Sequence, residues 1–166
     1  DASSSVRTAV RWALSHAPKP AEHRAATVDA YVRALGHSDA EVRKEACSQL
    51  ADLAGEGANL AAAIPIFARL LAVPASTWHA NNALQKAAAS GCDISVALPA
   101  LLAGLEATKE HQKGFVETLG AALAKGADFP GAIPALAGVL VAPSDPNAYH
   151  LALSALKAQS ERKSDL

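Results

Sequence analysis

Apolar residues recur along this chain with the period of an α-helix. After each of three glycines, apolar positions follow at offsets of 3, 7, 10 and 14 residues. Such offsets place the side chains on one stripe of a helix. The aligned columns are Leu60/Ile94/Phe129, Ile64/Leu98/Ile133, Phe67/Leu101/Leu136 and Leu71/Leu105/Leu140. A second apolar stripe precedes each glycine, in the columns Ala46/Ala80/Phe115, Leu50/Leu84/Leu119, Leu53/Ala87/Ala122 and Ala54/Ala88/Leu123.

The three glycines mark a repeat. They are 34 and 35 residues apart, and so are three prolines that follow them; the residues are Gly57, Gly91 and Gly126, and Pro65, Pro99 and Pro134. A fixed period of this length is typical of proteins built from stacked helix pairs. Each glycine is expected to end a helix in the left-handed conformation, which a residue without Cβ adopts at little cost.

The residues after each glycine predict how the next helix begins. Asn59, Asp93 and Asp128 stand two residues after the glycines and are expected to cap that helix. Each proline then falls on the sixth position of the predicted helix. There it would remove a backbone hydrogen bond, so we expect a slight bend.

The pattern as a whole predicts an all-α protein of about nine helices. Their approximate ranges are 2–17, 20–36, 38–55, 59–73, 75–90, 93–107, 108–125, 129–142 and 145–162. They group into four two-helix repeats of 34–36 residues, at about 2–36, 38–73, 75–107 and 108–142, followed by a terminal helix at 145–162. We expect a single domain over residues 1–166.

The amino-acid composition agrees with a helical fold and excludes other classes of protein. The 166 residues include 41 alanines and 20 leucines, whereas aromatic residues make up only 4%. Alanine and leucine have high helix propensities, and the high apolar fraction excludes intrinsic disorder. Lys and Arg together number 15 and Asp and Glu 16, with no basic stripe, so nucleic acid is not an expected partner. The apolar runs are too short for a bilayer span, so membrane insertion is not expected.

One segment carries a family resemblance. Ser38-Asp39-Ala40-Glu41-Val42-Arg43 leads into the stripe before Gly57 and resembles the turn and second helix of a HEAT repeat. Proline within a first helix is also similar to HEAT repeats. The resemblance implies a right-handed α-α superhelix, a solenoid with first helices on its convex side and second helices on its concave side. HEAT and armadillo-like subtypes both stay open, because Thr77 and Gln112 stand where Arg43 stands in the first unit.

No catalytic pattern accompanies the repeats. The six histidines lie outside HExxH and other metal-ligand spacings, and Cys47 and Cys92 form no CxxC motif. There is no GxSxG sequence and no glycine-rich phosphate loop. We therefore expect no catalytic residue, no metal and no cofactor.

Polar positions beside the second stripe predict a binding face instead. Solenoids commonly bind partners along their concave helices. The candidate residues on that face are Trp12, Glu45, Ser48, His79, Asn82, Lys86, Glu117 and Tyr149. Trp12 and Tyr149 would serve as aromatic anchors, although terminal aromatics can also cap the ends of a core. Trp78, at a helix start, is expected to pack from a loop onto the core.

The predicted function is a non-catalytic scaffold that binds a protein or peptide on this concave face. His79 and Asn82 would bond to a peptide backbone, by resemblance to the asparagines of armadillo-like proteins. Two alternatives remain: an enzyme or enzyme subunit on a HEAT-like scaffold, similar to bilin lyases or alkylpurine DNA glycosylases, and a purely structural or engineered repeat protein.

The C-terminal helix and the termini add two expectations. Leu151, Leu153 and Leu156 are apolar on more than one side of the last helix, which indicates either self-association or a truncation point. No signal peptide is recognisable, which favours a cytoplasmic location. The chain has no methionine, so a processed or truncated N-terminus stays open.

Overall fold

The computed structural model describes residues 21–107, 109–127, 129, 131–143 and 146–164. Within these residues the chain forms eight α-helices and no strand, so the predicted all-α class is confirmed. The helices are α1 (Ala21–Ala34), α2 (Ala40–Gly55), α3 (Ile64–Leu70), α4 (Thr77–Ala89), α5 (Leu98–Ala107), α6 (Gln112–Ala124), α7 (Ala132–Val141) and α8 (Pro146–Ser164), with a 3₁₀ turn at Ser95–Ala97. The helix predicted at 2–17, and Trp12 with it, lies outside the described residues.

The helices pack in consecutive pairs and in two rows. Helix α1 contacts α2, α3 contacts α4, α5 contacts α6 and α7 contacts α8. The even-numbered helices α2, α4, α6 and α8 contact one another in succession, and so do α3, α5 and α7. Buried side chains from both rows form one hydrophobic core cluster, as two helix layers require in order to cover their apolar stripes.

Glycine ends three of the even-numbered helices, as predicted. Gly57, Gly91 and Gly126 have φ angles of +80°, +87° and +99°. At the first turn, the Gly57 N–H donates to Ala54 O and the Ala58 N–H donates to Leu53 O, both over 2.9 Å. The same pair of bonds recurs after α4 and α6. This arrangement is a Schellman motif, which satisfies carbonyl groups left over at a helix end.

The prolines occupy different positions from those predicted. Pro65 and Pro99 are the second residues of α3 and α5, and Pro134 is the third residue of α7. The expectation of a sixth-position proline that bends the helix is therefore wrong. The backbone N–H groups in the first turn of a helix have no intrahelical acceptor, so a proline, which lacks the N–H, costs no hydrogen bond there. These helices therefore begin later than predicted, with the proline in the first turn.

The residues between glycine and proline form turns. Asn59 Oδ1 accepts a hydrogen bond from the Ala61 N–H over 2.9 Å, and Asp93 Oδ1 accepts one from the Ser95 N–H over 2.8 Å. Both bonds cap the turn that leads into the helix, and neither caps α3 or α5 itself. The predicted capping role of these two side chains is thus displaced by one turn, while Asp128 lies outside the described residues.

The predicted apolar stripes are buried, with an exception in the last unit. All twelve residues of the stripe before the glycines are buried. In the stripe after the glycines, Ile64 and Leu98 retain 2% and 3% of their exposure, whereas Ile133 in the same column retains 37%. Phe129 and Leu140 are half-buried, although their column partners are buried. The expectation that the last unit would bury this stripe like the two units before it is therefore wrong for these three positions.

Candidate partner-binding face

Seven of the predicted binding residues lie on the row of even-numbered helices. Helix α2 carries Glu45 and Ser48, α4 carries His79, Asn82 and Lys86, α6 carries Glu117, and α8 carries Tyr149. Ser48, Lys86 and Tyr149 are exposed, and the other four are half-buried. All seven side chains are thus accessible to a ligand. We call the surface formed by these seven residues together with Trp78 the partner face.

Three polar contacts engage carboxylates of the partner face, and one of them connects neighbouring helices. Gln85 Nε2 donates to Glu117 Oε2 over 3.3 Å and so joins α4 to α6. Lys113 Nζ lies 3.9 Å from Glu117 Oε1 on the same helix. On α2, Gln49 Nε2 donates to Glu45 Oε1 over 3.1 Å. These bonds hold both carboxylates in place at the surface.

Charged side chains of α2 affect the pKa of His79 on α4. Partial burial lowers the pKa of His79, and Lys44 lowers it further, whereas Glu41 and Glu45 act in the opposite direction. The imidazole is therefore neutral at physiological pH, with one nitrogen able to donate a hydrogen bond and the other able to accept one.

Trp78 is the largest exposed apolar side chain of α4. It keeps 59% of its exposure, so the expectation that it packs onto the core is wrong. Its ring meets the His79 ring edge to face, with centroids 4.8 Å apart. Because residues four apart share a face of a helix, Trp78, Asn82 and Lys86 form one outward line along α4. The core is filled from the other side of the helix, by the alanines and leucine of the apolar stripe.

Two polar side chains of this face are available for binding. Within the described part of the chain, no hydrogen bond engages the side chains of Ser48 and Asn82. Tyr149 completes the row at 37% exposure, with its ring edge-to-face against His150 at 5.6 Å. The partner face therefore offers an amide, a hydroxyl and two aromatic rings to solvent.

A buried polar contact that the sequence did not reveal lies beneath this face. Thr118 Oγ1 is 3.0 Å from Asn81 Oδ1 and 3.0 Å from Gly114 O. A Cβ at Gly114 would come within 2.7 Å of Asn81 Nδ2, so only glycine lets this amide approach α6 so closely. The contact sets α4 against α6 and thereby positions Asn82, which follows Asn81, and Glu117, which precedes Thr118.

Other surface features lie away from the partner face. Two clefts of about 330 and 500 Å³ open beside the glycine turns; they share Gly57, Ala58 and Asn59, and the predicted binding residues do not line them. Among the described residues, no three His, Cys, Asp or Glu side chains cluster closely enough to hold a metal ion. In the same residues, every helix is too short or too polar to cross a membrane.

Comparison with known proteins gives a likeness in fold. No protein-family model matches the chain, and no curated protein matches it in sequence. The chain is similar to the crystal structure of an engineered protein from a structural genomics consortium, with a TM-score of 0.59 and 21% sequence identity. The match covers 81% of this chain and 67% of the engineered one. At this identity the likeness concerns the fold alone and agrees with an all-helical architecture.

Proposed function

We propose that this protein is a non-catalytic scaffold that binds an extended peptide segment of a partner protein across the partner face. In this proposal the helix pairs stack as a right-handed HEAT- or armadillo-like solenoid, and the even-numbered helices form its concave side. The successive contacts among α2, α4, α6 and α8 support such a stack.

The exposure of Trp78 beside Asn82 is the observation that carries the proposal. A tryptophan that keeps 59% of its exposure leaves a large apolar surface in water. Tryptophan is also enriched among the residues that dominate binding energy at protein interfaces. Asn82, one helical turn away, has both an amide donor and an acceptor, which match the C=O and N–H groups of an extended peptide backbone.

The charges of the face indicate a partner of mixed polarity. Glu45 and Glu117 are held by Gln49 and Gln85, while Lys86 is exposed on α4. Neither sign dominates, so recognition would depend on the apolar anchor and on backbone hydrogen bonds. Charged side chains around them would contribute to selectivity and to the rate of association.

The experiment is a selection of binding peptides from a random display library on the immobilised chain, followed by affinity measurement. Trp78→Ala and the combined variant His79→Ala, Asn82→Ala, Glu117→Ala should each weaken binding at least about tenfold, which corresponds to about 1.4 kcal/mol. Val141→Ala is the matched control, because Val141 is 87% exposed on α7, in the other row of helices. Peptides that bind all variants equally would place the binding site elsewhere.

A further inference from the structure

His79 lies within the partner face, beside the aromatic side chain on which the proposed function depends. The imidazole is half-buried, and its ring meets the Trp78 ring edge to face with the centroids 4.8 Å apart. Asn82 follows three residues later, which places it next to His79 on the surface of α4. A peptide that covers Trp78 and Asn82 therefore also covers His79 and removes more of the imidazole from water.

The charges that act on His79 come from α2, one of three helices, α2, α3 and α6, that pack against α4. The other charged residues of these helices and of α4 are Arg43, Asp52, Arg69, Lys86, Lys113 and Glu117. On α2, Lys44 opposes a positive charge on the imidazole, whereas Glu41 and Glu45 favour one. Lys44 Nζ lies 2.8 Å from Glu41 Oε1, and Gln49 Nε2 donates to Glu45 Oε1. Both carboxylates therefore already have partners of their own.

Burial has the largest effect on the titration of this histidine. It lowers the pKa of His79 below the ordinary value of 6.5, and the ammonium group of Lys44 lowers it further. A charged group is costly to remove from water, so a peptide that buries the imidazole more deeply favours its neutral form. Protonation also removes the ring nitrogen that accepts a hydrogen bond, and a backbone N–H of the peptide then loses that acceptor.

From these observations we infer that His79 makes the partner face a pH-dependent binding surface: a peptide binds while His79 is neutral and is released as the imidazole takes up a proton. The inference rests on the proposed function, because it concerns the regulation of the same face. The apparent affinity follows the fraction of chains in which His79 is neutral. It therefore falls by up to about tenfold for each pH unit below the pKa of His79.

The test measures the affinity of a selected peptide that has no histidine, from about pH 7.5 to about pH 5, above the range in which ordinary carboxylates titrate. The affinity of the unmodified chain should fall several-fold toward acid pH, but by less than about thirtyfold, the loss expected for one group with a pKa of 6.5. His79→Gln keeps a hydrogen-bond donor and an acceptor but does not titrate, so its affinity should stay constant over this range. Circular dichroism spectra would verify that each chain stays folded at acid pH.

His150→Gln is the matched control. His150 also follows an aromatic residue, and its ring meets the Tyr149 ring edge to face at 5.6 Å, but it is exposed on α8. This variant should show the same fall in affinity as the unmodified chain, and loss of the fall would assign the effect to α8 and overturn the inference.

The outcomes also separate this inference from the proposed function. Suppose that a peptide depends on Trp78 but binds the unmodified chain equally at every pH, or that His79→Gln keeps the fall in affinity. Either result overturns the inference and leaves the proposed function intact. Peptides that bind Trp78→Ala as tightly as the unmodified chain would contradict the proposed function itself, and the inference with it.

Discussion

Gly104 of α5 lies against the ring of Phe115 in α6, so closely that a methyl group on Gly104 would come within 2.6 Å of Phe115 Cζ. Phe115 is fully buried and belongs to the core stripe that precedes Gly126. The missing Cβ of Gly104 thus makes the space that the largest side chain of this stripe occupies. In the equivalent column, α3 has Leu70 and α7 has Val139, so the helix pairs fill the core in different ways.

We predict that Gly104→Ala destabilises the protein. Alanine inside a helix normally gains up to about 1 kcal/mol over glycine. Here the added methyl group must displace a packed ring, and overpacking of this kind costs about 1–3 kcal/mol. Gly138→Ala in α7 is the control, since a Cβ there meets nothing within 4 Å. Urea denaturation should show a loss of free energy of unfolding for Gly104→Ala and a gain for Gly138→Ala; a gain in both would contradict the packing argument.

The glycine turns give a second prediction. Gly57 has a φ of +80°, and a Cβ on it would meet nothing within 4 Å. A side chain at this position would therefore destabilise the fold only through the strained backbone conformation, not through a steric clash. Gly57→Ala should lower the free energy of unfolding by about 1 kcal/mol, the penalty of the left-handed conformation. Gly55→Ala, two residues earlier at the end of α2, also has open space but no positive φ, and should be neutral or stabilising. Equal effects of the two variants in thermal unfolding would argue against strain at Gly57.

The buried contact of Thr118 with Asn81 gives a third prediction. Thr118→Val keeps the shape but removes the hydroxyl group, which leaves the Asn81 amide short of a partner in the core. We expect a loss of about 1–3 kcal/mol in the free energy of unfolding, the cost of an unsatisfied buried polar group. Thr118→Ser keeps the hydroxyl and should lose less than Thr118→Val. If serine proves the more damaging replacement, the methyl group of Thr118 matters more than its hydrogen bond.

The two cysteines should differ in chemistry. Cys47 is fully buried, and burial raises its pKa from 9.0 to about 12, an effect that Arg43 partly offsets. Cys92 is half-buried beside a glycine turn. Iodoacetamide at mildly alkaline pH should therefore modify Cys92 in the folded protein and Cys47 only on unfolding. Mass spectrometry of the digested protein checks this, and early labelling of Cys47 would show that the core opens readily.

The raised pKa of Cys47 also has a consequence for stability. Between about pH 9 and 12 the folded state keeps the Cys47 proton while the unfolded chain loses it. The unfolded state then binds fewer protons, so stability falls as pH rises, by up to about 1.4 kcal/mol per unit. Cys47→Ala should show a shallower decline over the same range. Parallel declines in the two proteins would mean that other groups cause the alkaline loss.

Much of the fold follows from local signals in the sequence. The helical period places twelve residues before the repeat glycines on a buried stripe, and all twelve are buried. The glycines predict left-handed turns, and three Schellman motifs confirm them. These features are predictable because a helix period and a positive φ are properties of a few neighbouring residues.

Tertiary structure decided what those signals leave open. Ile133 has the same sequence context as Ile64 and Leu98, yet its exposure depends on whether another helix lies beside it. The burial of Trp78 and Asn81 also depends on neighbouring helices. The aromatic residue lies in solvent, whereas the amide is buried against Gly114. The sequence by itself determined that the chain is helical, where the glycine turns fall and which stripe of α2, α4 and α6 faces inward. Packing decided which of these residues are covered, because burial depends on the neighbours that the fold brings into contact.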